Sequence, residues 1–349
     1  MRKMLVGLAV CFLALTFVGW MGEVASISAA TQEKETITII DEMGRYVEVP
    51  SPPERIACLV PAAAEVICAL GDEDKIVARS NDCNFPLSLK ERLSVGPFRT
   101  VNLELLLEQK PDIVITRTVL FKKEIRDKIE MAGIPVVQFW SIELDTVLPM
   151  IKKMGLILDK KEKAEELAGF IENYANLIQE RTRKLKPEEK PSVFFQSMGH
   201  MYWTVNADTA GHRRITAAGG INIAAGEPVK VPRVSAEWVL ERNPDIIVYS
   251  YLKARESAKV PSPEEMKKIR DEIMNEPGLR ETKAVKEGKV YIIDTRLITG
   301  PRSIIGFLYY AKWFHPELFK DIGPEAVHKE MLQKFYGIEL ERTWVYPEQ

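Results

Sequence analysis

Four histidines (His200, His212, His315, His328) and four cysteines are the side chains of this sequence best suited to metal or nucleophilic chemistry. Their spacing supports neither. No histidine pair has ligand spacing, and HExxH and GxSxG are absent. The segment FQSMGH around Ser197 lacks the leading glycine of a nucleophile elbow. There is no GxGxxG or Walker-type loop to cradle a phosphate, and Gly219-Gly220 stands only at a helix end. Neither an enzyme nor a bound cofactor is expected. What remains is cationic and aromatic. Arg79 follows KIVA, Arg99 follows Gly96-Pro97-Phe98, Arg117 follows DIVIT, and Trp140 follows VVQF. Further along, His200, Tyr202 and Trp203 follow PSVFFQS, Tyr251 follows DIIVYS, and Arg302 opens a helix after Thr299-Gly300-Pro301. All stand at the carboxyl ends of predicted strands, the edge at which open α/β sheets bind ligands. Arg302 together with its helix amides suits an anion. Each residue alone is as well explained by a salt bridge or by packing; as a set they predict a ligand cleft.

The elements that must position these residues follow from periodicity. Residues 102–115, NLELLLEQKPDIVI, and 235–248, SAEWVLERNPDIIV, align without a gap and agree at six of fourteen positions, including Glu104/Glu237, Pro111/Pro244 and Asp112/Asp245. Each reads as a short helix, a Pro-Asp turn and an apolar strand buried on both faces. Between them, residues 159–186 place Ala164, Leu167, Ala168, Ile171, Tyr174, Ala175 and Ile178 on one helical face, with Asp159 as N-cap and Pro187 as the stop. Strands alternate with helices on both sides, which predicts an α/β protein with two lobes, each with a mostly parallel sheet flanked by helices. A β-hairpin over residues 36–49 precedes the first lobe, and GHMYWTVN is expected to form a turn and a strand in the second.

The chain has 349 residues, 46% of them hydrophobic and 28% charged, with a formal net charge of −2. That is enough for two domains and carries no basic footprint for nucleic acid. Arg2 and Lys3 precede an apolar run to Gly22, then small and polar residues with Ser28-Ala29-Ala30 as a cleavage site. Residues 1–30 therefore read as an export signal, with an uncleaved anchor as the alternative, and the folded part is expected outside the cytoplasm. Cys11 lies within the run rather than at its end, so lipidation is not expected. Of the other cysteines, Cys58 falls in an apolar strand and Cys68 in an apolar helix, where buried thiols are the default. Three cysteines beyond the signal leave at least one free; a bridge from Cys58 or Cys68 to Cys83 is the alternative, and no pair has metal-site spacing.

Taken in order, VPSPPERIACLVPAAAEVICALG, KIVARS, VGPFRTVNLELLLEQKPDIVI, AGGINIA and VSAEWVLERNPDIIV resemble the periplasmic solute-binding proteins of iron-siderophore, haem and cobalamin ABC importers. The resemblance covers about residues 36–336. The C-terminal YYAKWFHPELFKDIGPEAV is similar to a branch that includes molybdate receptors. The resemblance implies two lobes, residues 31–144 and 188–349, joined through connecting helices over 145–187 by one long rigid helix at 159–186. It implies a ligand in the cleft between them, a monomer, and an ABC permease dimer with its ATPase subunits as partner. It also implies one surface glutamate per lobe that docks on permease arginines, which the motifs match to Glu65 and Glu237. An arginine- and aromatic-lined cleft suits an anionic metal chelate: a ferric siderophore first, then a corrinoid or haem, then an oxyanion such as molybdate or tungstate. Haem would need an axial ligand, for which His200, Tyr202 and Tyr251 are the candidates. A bare metal ion would want clustered His and carboxylates, which are missing. A chelate-processing enzyme on the same scaffold is the alternative of another class.

Overall fold

The computed structural model describes residues 35–118, 121–140, 144–197, 199–252, 260–342 and 344–347. The expected export signal lies outside the described residues, among which no helix is long and apolar enough to cross a membrane. Strands β1 (Thr36–Ile40) and β2 (Tyr46–Pro50) form the expected antiparallel hairpin. Its turn closes through the Asp41 carboxylate, which accepts from the backbone N–H groups of Met43 and Arg45 and pairs with the Arg45 guanidinium. The first lobe then runs β3 (Ile56–Cys58), α1 (Pro61–Ala69), β4 (Ile76–Arg79), α2 (Leu103–Glu108), β5 (Ile113–Arg117), α3 (Lys123–Met131) and β6 (Val136–Phe139). Its sheet has the order β4-β3-β5-β6 and is parallel throughout. Such strands are covered on both faces, hence their unbroken runs of buried residues.

Helix α4 (Leu144–Ile157) leads into α5 (Lys161–Thr182), the long helix. Its apolar face is the predicted one: Ala164, Leu167, Ala168, Ile171 and Ile178 are all buried. Its 22 residues span roughly 33 Å at ~1.5 Å per residue. Asp159 is not its N-cap. Asp159 adopts a left-handed φ of +53° and closes α4 instead, with the next N–H, from Lys160, returning to the Gly155 carbonyl at 2.8 Å. Helix α5 packs on α4 and also on the later helices α6 (Ala210–Ala217) and α10 (Ser303–Phe314), so it bridges the two lobes.

The second lobe contains β7 (Ser192–Gln196), α6, β8 (Ile221–Asn222), α7 (Ala236–Arg242), β9 (Ile246–Tyr251), α8 (Pro263–Asn275), α9 (Lys283–Lys286), β10 (Val290–Asp294), α10, α11 (Pro324–Tyr336) and β11 (Val345–Tyr346). The sheet order is β11-β10-β9-β7-β8, with only β11 antiparallel. The strand expected from GHMYWTVN does not form. Trp203 makes a single bridge to Arg233, and Tyr202 takes a left-handed φ of +65° that interrupts extension.

The repeated units fold alike in atomic detail. Asn102 and Ser235 cap α2 and α7, accepting from the Leu105 and Trp238 N–H groups at 3.0 and 3.2 Å. Before each proline the chain turns left-handed, at Lys110 (φ +46°) and Asn243 (φ +40°). The Asp112 carboxylate then accepts from the N–H groups of Glu54 and Arg55, and the Asp245 carboxylate from that of Ser192. Each aspartate thus fastens its strand to the start of the neighbouring one, β3 or β7.

Candidate functional site

The carboxyl edges of the two sheets meet. Helix α1 follows β3 after two intervening residues, and α10 follows β10 through a 3₁₀ turn and Gly300. A side chain at Gly300 would lie 3.0 Å from Ala62 Cβ, and φ there is +68°, so this close approach uses glycine's freedom. One turn further along, Arg302 donates through Nε and Nη2 to both carboxylate oxygens of Glu65, at 3.0 and 2.8 Å. Arg302 is 0% and Glu65 6% exposed. The guanidinium lies 3.6 Å from the Phe85 ring centroid and 4.6 Å from that of Trp344. His328 packs edge-on to Trp344 at 5.9 Å, its pKa brought down to about 3 by burial first and then by the Arg302 charge.

Two expectations are corrected here. Glu65 is not a surface glutamate: it is sealed between the lobes and neutralised by Arg302. Arg302 is not offered to a ligand at the open edge, because its charge is committed to that carboxylate. An unpaired buried charge at either position would be strongly unfavourable, which is why each demands the other. Nothing in the sequence pairs residues 237 positions apart.

On the first lobe's edge the predicted residues divide. Arg79 is buried and donates to the carbonyls of Ser80, Asn81, Lys90 and Arg92 at 3.1–3.5 Å, so it clamps the loop after β4. Desolvation lowers its pKa. Arg117 and Arg99, by contrast, converge on one ring. Their guanidinium carbons lie 4.8 and 5.5 Å from the Phe98 centroid, with Arg99 exposed and Arg117 3.7 Å from Asp82. Trp140 is half-buried, its backbone N–H donating to the Glu42 carboxylate. With Glu42, Met43, Thr118, Pro149 and Lys153 it lines an open depression of about 530 Å³. Burial pushes the Glu42 carboxyl up to about 7 against the opposing pull of that hydrogen bond and of Lys153.

On the second lobe, His200 and Trp203 are exposed with their rings 5.4 Å apart. Tyr251 is half-buried at the end of β9, its carbonyl accepting from Thr295 Oγ1 at 2.7 Å. Tyr202 is engaged elsewhere. Its hydroxyl donates to Glu276 at 3.1 Å, and burial plus that carboxylate raise its pKa. The structure therefore gathers Arg99, Arg117 and Phe98 on one edge and His200 with Trp203 on the other, and withdraws Arg79, Arg302 and Tyr202. Sequence reasoning missed Phe85, Phe98, Trp344 and Glu42. Phe98 was adjacent to Arg99 and could have been found; Trp344 and Phe85 gave no signal. Cys58, Cys68 and Cys83 are buried and unbridged.

Two carboxylates do stand on the surface in matched places. Glu104 and Glu237 are exposed second residues of α2 and α7, directly after the equivalent caps Asn102 and Ser235. The helix-start N–H groups and Ser235 hold the Glu237 carboxyl below its ordinary range.

Residues 56–297 match the family described as periplasmic binding protein. An uncharacterized ABC transporter substrate-binding lipoprotein of Bacillus subtilis is 28% identical over 302 residues, 84% of this chain and 91% of that one. A vitamin B12-binding protein of Yersinia pestis is 27% identical over 197 residues, 56% of this chain and 69% of that one. The solved TroA-like periplasmic binding protein FepB of Veillonella parvula superposes with a TM-score of 0.76 at 24% identity, covering 90% of this chain and 100% of that one. That superposition bears on the fold, with its paired lobes and bridging helix. The chain belongs to the periplasmic binding protein family of ABC importers.

Proposed function

We propose that this chain is an extracytoplasmic receptor that captures an anionic metal chelate, of the ferric siderophore type, between the carboxyl edges of its two sheets and delivers it to the permease. The observation that carries this reading is the pairing of groups on those edges: exposed Arg99 and part-buried Arg117 gathered on Phe98, and exposed His200 with Trp203. Guanidinium groups on an aromatic face attract anionic, partly flat molecules through charge and stacking together. Withdrawal of Arg79 and Arg302 leaves few donors for a small bare oxyanion, which favours the larger chelate. A corrinoid is the second reading, favoured by the similarity to a vitamin B12-binding protein.

Delivery requires a docking surface on each lobe. Glu237 fits, and Glu104 takes the place expected for Glu65: it is exposed, and the internal repeat sets it at the same helix position. Two carboxylates in equivalent settings match a partner built of two like subunits. Protein purified from its own source is expected to carry about one equivalent of a metal complex with its own visible absorption. Purified protein that holds no small molecule and takes none up on incubation with ferric siderophores or cobalamin contradicts the reading. Replacing Glu104 and Glu237 together by arginine is expected to abolish uptake while leaving ligand binding intact. Uptake at the wild-type rate in that double variant removes the docking assignment.

A further inference from the structure

We propose that Glu65 and Arg302 form a buried tie between the lobes, a positioning pair that sets the aperture of the cleft. The inference rests on the two-lobe receptor reading but not on the identity of the ligand. Glu65 belongs to α1, rooted in the first sheet through β3, and Arg302 begins α10, rooted in the second through β10. Both oxygens of the carboxylate are engaged, and both partners are buried. The guanidinium is held in place by Phe85 from the first lobe and Trp344 from the second. These two rings meet edge to face at 6.0 Å, and Phe85 meets Tyr336 of α11 at 5.5 Å. The clamp is therefore itself built from both lobes.

A buried ion pair gains most from its partner and loses most without it. Any motion that draws α1 from α10 would leave Arg302 charged among aromatic rings and Glu65 without its counter-ion. Motion that turns the lobes about this contact leaves the pair whole. Gly300 against Ala62 adds a point of near-touching backbone beside the same contact. Together with α5 the tie makes a second strut, and two struts restrict the lobes to rotation about the line joining them. The cleft is then adjusted by a small twist, and its width at rest is fixed by the length of one bidentate contact.

The test places spin labels on cysteines at the exposed positions Met131 and Leu240, one on each lobe, and measures the inter-label distance by double electron–electron resonance without ligand. The wild-type background is expected to give one narrow distribution. Glu65→Gln keeps the shape of the side chain and removes its charge. Arg302→Lys keeps the charge and loses the fork. Each is expected to broaden the distribution and extend it to longer distances while far-UV circular dichroism shows a folded chain. A folded variant with the wild-type distribution overturns the proposal, and so does a broad distribution in the wild-type background, whatever the variants do. A merely local packing role would lower the melting temperature without moving the distance, and ligand-binding results do not enter.

Discussion

Glu42 and His328 are half-buried and buried groups whose ionisation opposes folding in opposite pH ranges. Burial pushes the Glu42 carboxyl up to about 7 in the folded chain, against 4.5 in the unfolded one, so between those values the folded chain holds a proton that the unfolded chain has released. Stability falls as pH rises through that window. His328 titrates near 3 against 6.5, so the unfolded chain takes up the proton first and stability falls as pH drops below 6.5. In Glu42→Gln the loss between pH 5 and 8 is expected to disappear, a difference on the order of 1 kcal/mol after allowance for solvent at a partly exposed site. Thermal melts across that range check it; equal slopes in variant and wild type contradict it. At this scale residue types and their place at strand ends are legible in the sequence, but not what each side chain faces. Arg79 and Arg117 look alike in the sequence, each closing an apolar strand. One is spent on loop carbonyls and the other stacks on Phe98. The partner of Arg302 lay in the other half of the chain.

Elements were far more legible, because periodicity and punctuation are local. Helix α8 begins at the Ser262 capping box and Pro263, and the internal repeat announced two helix–turn–strand units whose capping residues and strand-fastening aspartates stand in corresponding places. The exception is instructive. Proline disfavours the right-handed α conformation in the residue before it, and here the chain avoids that conformation by a left-handed turn rather than by extension. Asn243 suits that conformation and Lys110 does not. Lys110→Asn is expected to stabilise the protein by about 0.5–1 kcal/mol, read as a shift of the urea midpoint with unchanged slope; a lower midpoint contradicts it. The start of α5 was misplaced for a related reason, since an aspartate ahead of a charged helix reads as an N-cap while Asp159 closes α4. Between these helices a side chain at Gly155 would come within 2.4 Å of Ala164 Cβ. Gly155→Val is therefore expected to cost about 1–3 kcal/mol by overpacking, measured by the same denaturation; a neutral result would mean that α4 and α5 can separate cheaply.

At the scale of the molecule, two mostly parallel sheets present their carboxyl edges to each other, one long helix joins them, and a buried ion pair lies between them. The two lobes and the bridging helix are implied by the resemblance and are what the structure has; the ion pair is not implied by it. The contact that brings the edges together, Glu65 with Arg302, is not legible in the sequence, since docking and ligand-binding residues are also charged groups at strand ends. The surface that remains has cations on an aromatic face at the sheet edge and, on each lobe, the exposed carboxylate of the internal repeat, Glu104 or Glu237. Capture of a ligand at the cleft is the central claim, and tryptophan fluorescence tests it most directly, because Trp140 and Trp203 stand at the two edges. Titration with ferric catecholate and hydroxamate siderophores, cobalamin, haem and molybdate is expected to give saturable one-to-one quenching by a ferric chelate, weakened about tenfold or more by Arg99→Ala combined with Arg117→Ala. No saturable response to any of these ligands, or equal affinity in the double variant, would contradict the account.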